Sequence, residues 1–167
     1  MEIRLAHKSD LSRIVDIYNQ SIPSMCSTGD LQPLDKNEQI PWFEEHIPTV
    51  CPIYVAEMNR LVVGYNSLSL YRGGRGAFRY VRETSFYVDN QFKKKGVASQ
   101  LMEFVLRQCE ILQVKTLITF VMAHNKPSIH LLKKYGFERW ALLPNIADFN
   151  GKEFNHTIYG KRLKNST

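Results

Sequence analysis

The sequence predicts a mixed α/β fold in one domain, residues 1–167, with a mostly antiparallel central sheet flanked by helices. Three observations predict it. The chain has 167 residues, enough for one hydrophobic core but few for two domains. Apolar residues alternate between helical spacing and short strand-like runs. Short turns separate the early strands and a helix separates two later ones, so antiparallel pairs should come first and a parallel β-α-β unit should follow.

The first part of the chain predicts one strand, two helices and an intervening loop. The loop contains Pro, Ser, Gly and Asp, which favour an ordered loop or a short helix over a cleft. In chain order, the predictions are a strand at Ile3–Ala6, a helix from about Asp10 to Ser21 capped by Ser9, the loop Ile22–Pro33, and a helix from about Lys36 to His46 anchored by Trp42 and Phe43.

The remainder alternates strand-like runs with helical periodicity. A turn at Arg72–Arg75 separates two of the strands, and Asn150-Gly151 is a hairpin signal. In chain order, the predictions are strands at Ile53–Glu57, Leu61–Tyr71 and Phe78–Val88, a helix carrying Val97, Leu101, Phe104, Val105 and Leu112, a strand at Thr116–Val121, a helix at Asn125–Lys134, and two final strands around Asn150-Gly151.

Composition narrows the classes of partner. The formal net charge is +6, but the basic residues are spread over several segments apart from Lys93–Lys95. The interleaved aromatic and basic pattern of a nucleic-acid groove is absent. A small molecule bearing a polyphosphate explains the lysine cluster equally well, and we predict that rather than a nucleic-acid partner.

The sequence also predicts neither a membrane span nor a metal site. Its apolar runs are too short to cross a bilayer. Cys26, Cys51 and Cys109 are odd in number and lack metal-ligand spacing. A reducing, cytoplasmic location is the simplest interpretation of such cysteines.

The segment between Asp89 and Leu101 has the chemistry of a phosphate-binding loop. A strand-like run leads into three lysines, a glycine, small residues and then a helix. Helix N-termini present unpaired N–H groups and a partial positive charge, and glycine lets a ligand approach the backbone. The candidate contacts are Lys93, Lys94, Lys95, Gly96, Val97, Ala98 and Ser99.

A second motif follows one strand later. Asn125-Lys126-Pro127-Ser128 opens a short helix that ends at Gly136-Phe137. Together with Lys93-x-x-Gly96-x-Ala98, this motif resembles the GNAT superfamily of acyl-CoA-dependent N-acetyltransferases. The chain is most similar to its phosphinothricin acetyltransferase group, with the closer match carried by Asn19, Trp42, Arg75-x-Ala77-Phe78, Glu83–Val88 and Gly151-Lys152.

The resemblance implies acetyl-CoA as co-substrate, laid between two splayed strands. Its pantetheine is expected against the backbone of Phe86, Tyr87 and Val88, and its pyrophosphate against the loop before the helix. Asn125 and Ser128 are expected to contact the pantetheine or the nucleotide. The backbone N–H of Val88 or Tyr87 would stabilise the developing oxyanion.

Glu83 is the candidate catalytic residue, because it matches the carboxylate of the phosphinothricin group that is thought to act as base. An amine must lose a proton before it attacks a thioester, so a base is useful at neutral pH. The alternative is that Glu83 pairs with Arg82 or another base on a solvated strand face. The resemblance favours catalysis.

Two further positions bear on the reaction. Leu132 stands where many superfamily members carry a tyrosine that is thought to protonate the leaving thiolate. Tyr135 could replace it, although core packing is the more common role for such a residue. A thiol with a pKa of about 8.5 can leave without an acid.

The acceptor is predicted to be a small, amino-acid-like amine. Arg75 and Phe78 are the candidate acceptor-binding residues by resemblance, and a guanidinium suits bidentate binding of a carboxylate or phosphinate. The loop near Met25 departs from the group's pattern, and Asn155-His156 replaces the expected His-Asp pair. A protein or peptide N-acetyltransferase and a silent acyl-CoA-binding module stay open as alternatives. A homodimer is a family-level expectation.

Overall fold

A seven-stranded sheet forms the centre of the computed structural model, which describes residues 1–163. Residues 164–167 of the predicted domain lie outside the described part of the chain. The strands are β1 Glu2–Leu5, β2 Ile53–Met58, β3 Leu61–Leu70, β4 Val81–Val88, β5 Thr116–Met122, β6 Glu138–Asp148 and β7 Glu153–Arg162. The α-helices are α1 Leu11–Asn19, α2 Ile40–Glu45, α3 Val97–Ile111 and α4 Lys126–Lys134.

The strand order across the sheet is β1-β2-β3-β4-β5-β7-β6. Every neighbouring pair is antiparallel except β4 and β5, which are parallel and are joined through α3. A parallel connection requires a crossover of this kind, whereas antiparallel strands can be joined by turns. The predicted mixed, mostly antiparallel sheet is confirmed.

Helices cover both faces of the sheet. Side chains alternate between the two faces along each strand. Residues that pair directly across two strands point to the same face. One face is covered by α1 and α2, where Ile14 and Ile17 pack with Val55 and Tyr65. The other is covered by α3 and α4, with Met102, Val105, Leu117 and Leu132 completely or almost completely excluded from solvent. Side chains on one face of the sheet therefore contact α1 and α2, and those on the other face contact α3 and α4.

Several element boundaries differ from the predictions. The strand predicted from Phe78 begins at Val81, because Gly76–Phe78 forms a 3-10 turn. The second helix begins at Ile40 rather than near Lys36, with a proline in its first turn, where a missing N–H costs nothing. Ser9 does not cap the first helix, since Lys8–Asp10 forms a 3-10 turn before α1.

The final hairpin has the predicted turn. Asn150 and Gly151 both have positive φ, at 57° and 90°, and lie between β6 and β7. Separately, none of the helices among residues 1–163 is long and apolar enough to cross a membrane.

Candidate active site

β4 and β5 separate part-way along their length. They pair only where Val81–Glu83 meets Thr116–Ile118, although β4 continues to Val88 and β5 to Met122. Among residues 1–163, one edge of β4 therefore has no neighbouring strand beyond Glu83. Unpaired strand edges can accept an extended ligand through backbone hydrogen bonds.

The predicted pantetheine contacts lie along this free edge. Phe86 packs with the core beneath α3 and α4, and Val88 packs with the α3 core. Tyr87 points to the opposite face, where its ring lies 4.9 Å from the ring of Tyr18. Burial raises the pKa of Tyr87 well above its usual range, so its phenol stays neutral. Backbone contact with a pantetheine is compatible with these packed side chains.

The predicted phosphate loop joins the end of β4 to α3. Gly96 is the N-cap of α3 with φ of 82°, and no side chain of the residues that the structure describes caps the helix. A Cβ at Gly96 would meet only Gln100 Nε2, at 3.9 Å, so the space beside the helix N-terminus is open. The first N–H groups of α3 are therefore available to an anion. This loop fits a pyrophosphate group.

Basic side chains surround the N-terminus of α3. Lys93, Lys94 and Lys95 are exposed, and Lys95 Nζ lies 4.8 Å from the centre of the Phe92 ring. Lys134, at the end of α4, places its Nζ 3.5 Å from Ser99 Oγ. Exposed lysines attract phosphates electrostatically, and the predicted contact of Lys93, Lys94 and Lys95 with the pyrophosphate stays a prediction.

Asp89 fixes the start of the phosphate loop to α1. Its carboxylate accepts hydrogen bonds from Arg13 Nη2 at 2.5 Å, Gln20 Nε2 at 3.0 Å and Gln91 N–H at 2.8 Å. Gln20 Oε1 in turn accepts from Asn90 N–H at 2.9 Å. Burial alone would raise the pKa of Asp89, but these hydrogen bonds and the Arg13 charge hold that pKa below its usual value. No local sequence pattern indicates this cluster, since its members lie far apart along the chain.

Both polar atoms of the Asn125 side chain are occupied by hydrogen bonds within the protein. It is buried, its Nδ2 donates to Cys26 O at 2.9 Å, and its Oδ1 accepts from Ser128 N–H at 3.2 Å. The neighbouring His124 Nε2 lies 3.0 Å from Met25 O. Asn125 thus caps α4 and holds the loop between α1 and α2. Its predicted contact with acetyl-CoA, like that of Ser128, stays a prediction.

The loop between α1 and α2 is ordered by polar contacts, as predicted for Ile22–Pro33. Tyr18 OH donates to Asp30 and shares a hydrogen bond with Thr28. Burial, followed by the bond to Asp30, raises the pKa of Tyr18 to about 12. The loop and the β6–β7 turn border an open cavity of about 350 Å³, lined by residues that include Met25, Asp30 and Phe149.

Glu83 lies where β4 and β5 begin to separate. It is half-buried, and burial raises the pKa of its carboxyl group above the ordinary value. Within residues 1–163 its side chain forms no ion pair or hydrogen bond. Arg82, the alternative partner, instead donates to the backbone carbonyls of Val50, Arg79 and Val81. The carboxylate is therefore free to take a proton.

Sequence reasoning missed two side chains beside Glu83. Ser69 is directly opposite Glu83 in the β3–β4 pair, so both side chains point to the face covered by α1 and α2. His46, just after α2, places Nε2 3.3 Å from Ser69 Oγ. His156 lies on the same face, opposite Met122 of β5, and stacks on Phe120 with a ring separation of 5.8 Å.

Arg75 and Phe78 lie in the connection between β3 and β4. Arg75 is exposed, and its guanidinium has no hydrogen bond or ion pair in the part of the chain that the structure describes. Phe78 is 37% exposed, and its ring packs edge-on against Tyr71 at 5.4 Å. This connection joins the ends of β3 and β4 near which Ser69 and Glu83 lie, and the predicted binding of an acceptor by Arg75 and Phe78 stays a prediction.

Leu132 and Tyr135 both serve packing. Leu132 is completely excluded from solvent in the core. The Tyr135 ring packs against the same core, and its hydroxyl donates to Glu103 Oε1 at 2.6 Å. Neither residue therefore presents a free proton to a leaving thiolate.

Tyr135→Phe is expected to leave kcat within about twofold of the wild-type value. The change removes one exposed hydrogen bond and should cost at most about 1 kcal/mol of stability. Steady-state kinetics and a thermal melt measure both effects. A loss of kcat of about a hundredfold without unfolding would instead identify Tyr135 as a general acid.

The splayed strands, the open N-terminus of α3 and the basic loop are the features expected of an acyl-CoA-dependent acyltransferase. The model of the acetyltransferase (GNAT) family matches residues 12–137, and the chain belongs to that family.

Relatives at full length agree with this assignment. YwnH of Bacillus subtilis (strain 168), provisionally named a phosphinothricin acetyltransferase, is 38% identical over 98% of this chain and 99% of its own. The L-amino acid N-acyltransferase MnaT of Escherichia coli (strain K12) is 28% identical over 100% of this chain and 96% of its own.

A solved structure has the same fold. A GNAT superfamily phosphinothricin acetyltransferase from Sinorhizobium meliloti, in complex with acetyl-CoA, superposes with a TM-score of 0.90. It is 26% identical, and the match covers 97% of this chain and 88% of that one. The predicted family, fold class, N-acetyltransferase activity and acetyl-CoA co-substrate are confirmed.

Proposed function

We propose that this acetyl-CoA-dependent N-acetyltransferase acts on the primary amine of a small, amino-acid-like acceptor, with Glu83 as general base. The observation that carries the proposal is the half-buried, unpaired Glu83 carboxylate at the point where β4 and β5 separate. The names of the relatives support the acceptor class, since MnaT acts on L-amino acids.

Each group of the chain has a distinct role in this mechanism. Glu83 takes a proton from the acceptor amine, directly or through a water. The amine then attacks the thioester carbonyl, which acetyl-CoA supplies. The backbone N–H of Val88 or Tyr87 stabilises the negative charge that develops on the carbonyl oxygen. The carbon–sulfur bond of the thioester then breaks, and coenzyme A leaves as the thiolate, because Leu132 has no proton to donate.

Several residues hold the two substrates. The loop Lys93–Ser99 binds the pyrophosphate, and the free edge of β4 binds the pantetheine. Asn125 and Ser128 lie at the start of α4, beside the loop that covers the acceptor. Arg75 binds a carboxylate or phosphinate of the acceptor, and Phe78 packs beside it. The free guanidinium of Arg75 supports this assignment.

A panel of amines tests the acceptor class. Thiol release from acetyl-CoA is measured with L-methionine sulfoximine, phosphinothricin, amino acids, polyamines and peptides. The proposal expects the highest kcat/KM with an anionic, amino-acid-like amine. A preference for peptides or polyamines would contradict it, and cofactor binding without turnover would favour a silent module.

We also propose that two copies of the chain pair through β6. This strand lies at the edge of the sheet and exposes Trp140, Leu142 and Ile146 by 47%, 46% and 60%. Exposed edges and apolar patches of this kind favour association. Light scattering should give about twice the chain mass of 19.4 kDa, whereas a monomer at micromolar concentration would contradict the pairing.

We also propose that the protein is located in the cytoplasm and that it does not bind a nucleic acid. The three cysteines are free thiols, which fits a reducing compartment. The lysines near α3 are assigned to phosphates of acetyl-CoA rather than to a nucleic acid.

A further inference from the structure

The hydrogen bonds of His46 fix the position of its proton. Nδ1 lies 2.7 Å from the carbonyl oxygen of Trp42, and Nε2 lies 3.3 Å from Ser69 Oγ. A carbonyl oxygen can only accept, so Nδ1 carries the proton. Burial lowers the pKa of His46, which favours the neutral ring. Nε2 is therefore an acceptor, and the Ser69 hydroxyl donates to it.

This arrangement changes what Ser69 can offer to a ligand. With its single proton committed to His46, Ser69 Oγ can only accept further hydrogen bonds. Ser69 pairs directly with Glu83 across β3 and β4, and side chains in such pairs have Cβ atoms about 4.5–5.5 Å apart. Two acceptors, a hydroxyl oxygen and a carboxylate, therefore stand side by side on the same face.

We propose that Ser69 determines specificity by accepting a hydrogen bond from the acceptor amine, and that His46 is a positioning residue that holds the Ser69 hydroxyl turned away. A neutral primary amine has two N–H groups, one for Glu83 and one for Ser69. A secondary amine or an alcohol has a single donor and can satisfy only one of the two. The pair thus selects primary amines. This inference rests on the proposed role of Glu83.

The test compares a primary amine with its N-methyl derivative, using the best acceptor from the amine panel. In Ser69→Ala, kcat/KM for the primary amine should fall about threefold to tenfold, the worth of one hydrogen bond. The N-methyl amine should lose little, so the ratio of the two values should fall by the same factor. The KM for acetyl-CoA should stay within about twofold.

Three further variants make the result specific. His46→Phe keeps a ring beside Trp42, whose ring centre lies 4.6 Å away, and should lower the ratio in the same direction. Ser69→Thr keeps the hydroxyl and should retain the wild-type ratio. Ser12→Ala is the matched control, because Ser12 is exposed on α1 and, in the described part of the chain, its hydroxyl bonds only the Lys36 side chain. This variant should change nothing.

The outcomes separate the inference from the proposed function. A folded Ser69→Ala enzyme with an unchanged ratio would overturn the inference alone, whether or not His46→Phe folds. Equal losses for both amines would also overturn it, since they would indicate general disruption. A wild-type enzyme that acetylates no amine would overturn the proposed function and the inference together.

Discussion

Glu83→Gln is expected to lower kcat for every accepted amine by about 10²- to 10⁴-fold, the usual contribution of a general base. The amide keeps the shape of the side chain but cannot take a proton. No ion pair holds the carboxylate within residues 1–163, so the loss should come from the chemical step. Single-turnover kinetics with saturating acetyl-CoA measure it directly.

The pH dependence of the wild-type enzyme should identify the same group. Burial raises the pKa of Glu83, and the base acts when ionised, so kcat/KM should rise with pH through a value above the ordinary 4.5. The Glu83→Gln profile should lack this rise.

As pH rises, the contribution of Glu83 to the free energy of unfolding should fall while the activity rises. A raised carboxyl pKa means that the folded state binds the proton more tightly than the unfolded state does. The associated stability is present below the ordinary pKa and is lost as pH rises through the raised pKa. Glu83→Gln should therefore be at least as stable as the wild type at pH 7. Glu2→Gln, at an exposed site, is the control.

An unchanged kcat in Glu83→Gln would show that another group is the base.

Asp89→Ala is expected to destabilise the fold by about 3 kcal/mol and to raise the KM for acetyl-CoA. The change leaves Arg13, whose side chain is only 26% exposed, without its carboxylate partner. Breaking a fully buried ion pair costs about 3–5 kcal/mol, so this partly exposed pair should cost an amount near the lower end of that range. It also frees the backbone of Gln91, at the start of the phosphate loop. Denaturant unfolding and acetyl-CoA titration measure the two effects.

Asp16→Ala is the matched control for Asp89. It removes an ion pair to Lys36 at 3.3 Å whose side chains are about half exposed, at 46% and 49%, so it should cost at most about 1 kcal/mol. Equal, small effects of the two variants would show that Asp89 does not position the loop. Because the pKa of Asp89 is lowered in the folded state, its contribution to stability should persist at neutral pH. That contribution should disappear only as pH falls below the ordinary value of 3.8.

Local sequence signals predicted the elements that we propose bind acetyl-CoA. The apolar spacing of α3 and the glycine before it are properties of one short segment, and Gly96 has the positive φ that such a loop requires. The separation of β4 from β5 came from the resemblance, and the strand pairing now supports it. Core packing was the more common role expected of a residue such as Tyr135, and its ring does pack against the core.

The acceptor side of the site could not be predicted in the same way. The register of β3 against β4 depends on how residues 71–80 fold, and their apolar pattern placed the strand start at Phe78 rather than Val81. Without that register, Ser69 cannot be placed opposite Glu83. The contact with His46 joins residues 23 positions apart, and no periodic pattern encodes it. Asn125 shows the same limit, because its bond to Cys26 spans 99 positions.

Direct transfer from acetyl-CoA to an amine is tested most directly by product stoichiometry. Labelled acetyl-CoA and L-methionine sulfoximine are mixed with the enzyme, and released thiol and N-acetylated product are quantified together by absorbance and mass spectrometry. We expect one labelled N-acetyl product for each thiol released, with both rates falling together in Glu83→Gln. Thiol release without an acetylated amine, or tight acetyl-CoA binding with no product from any amine of the panel, would contradict it.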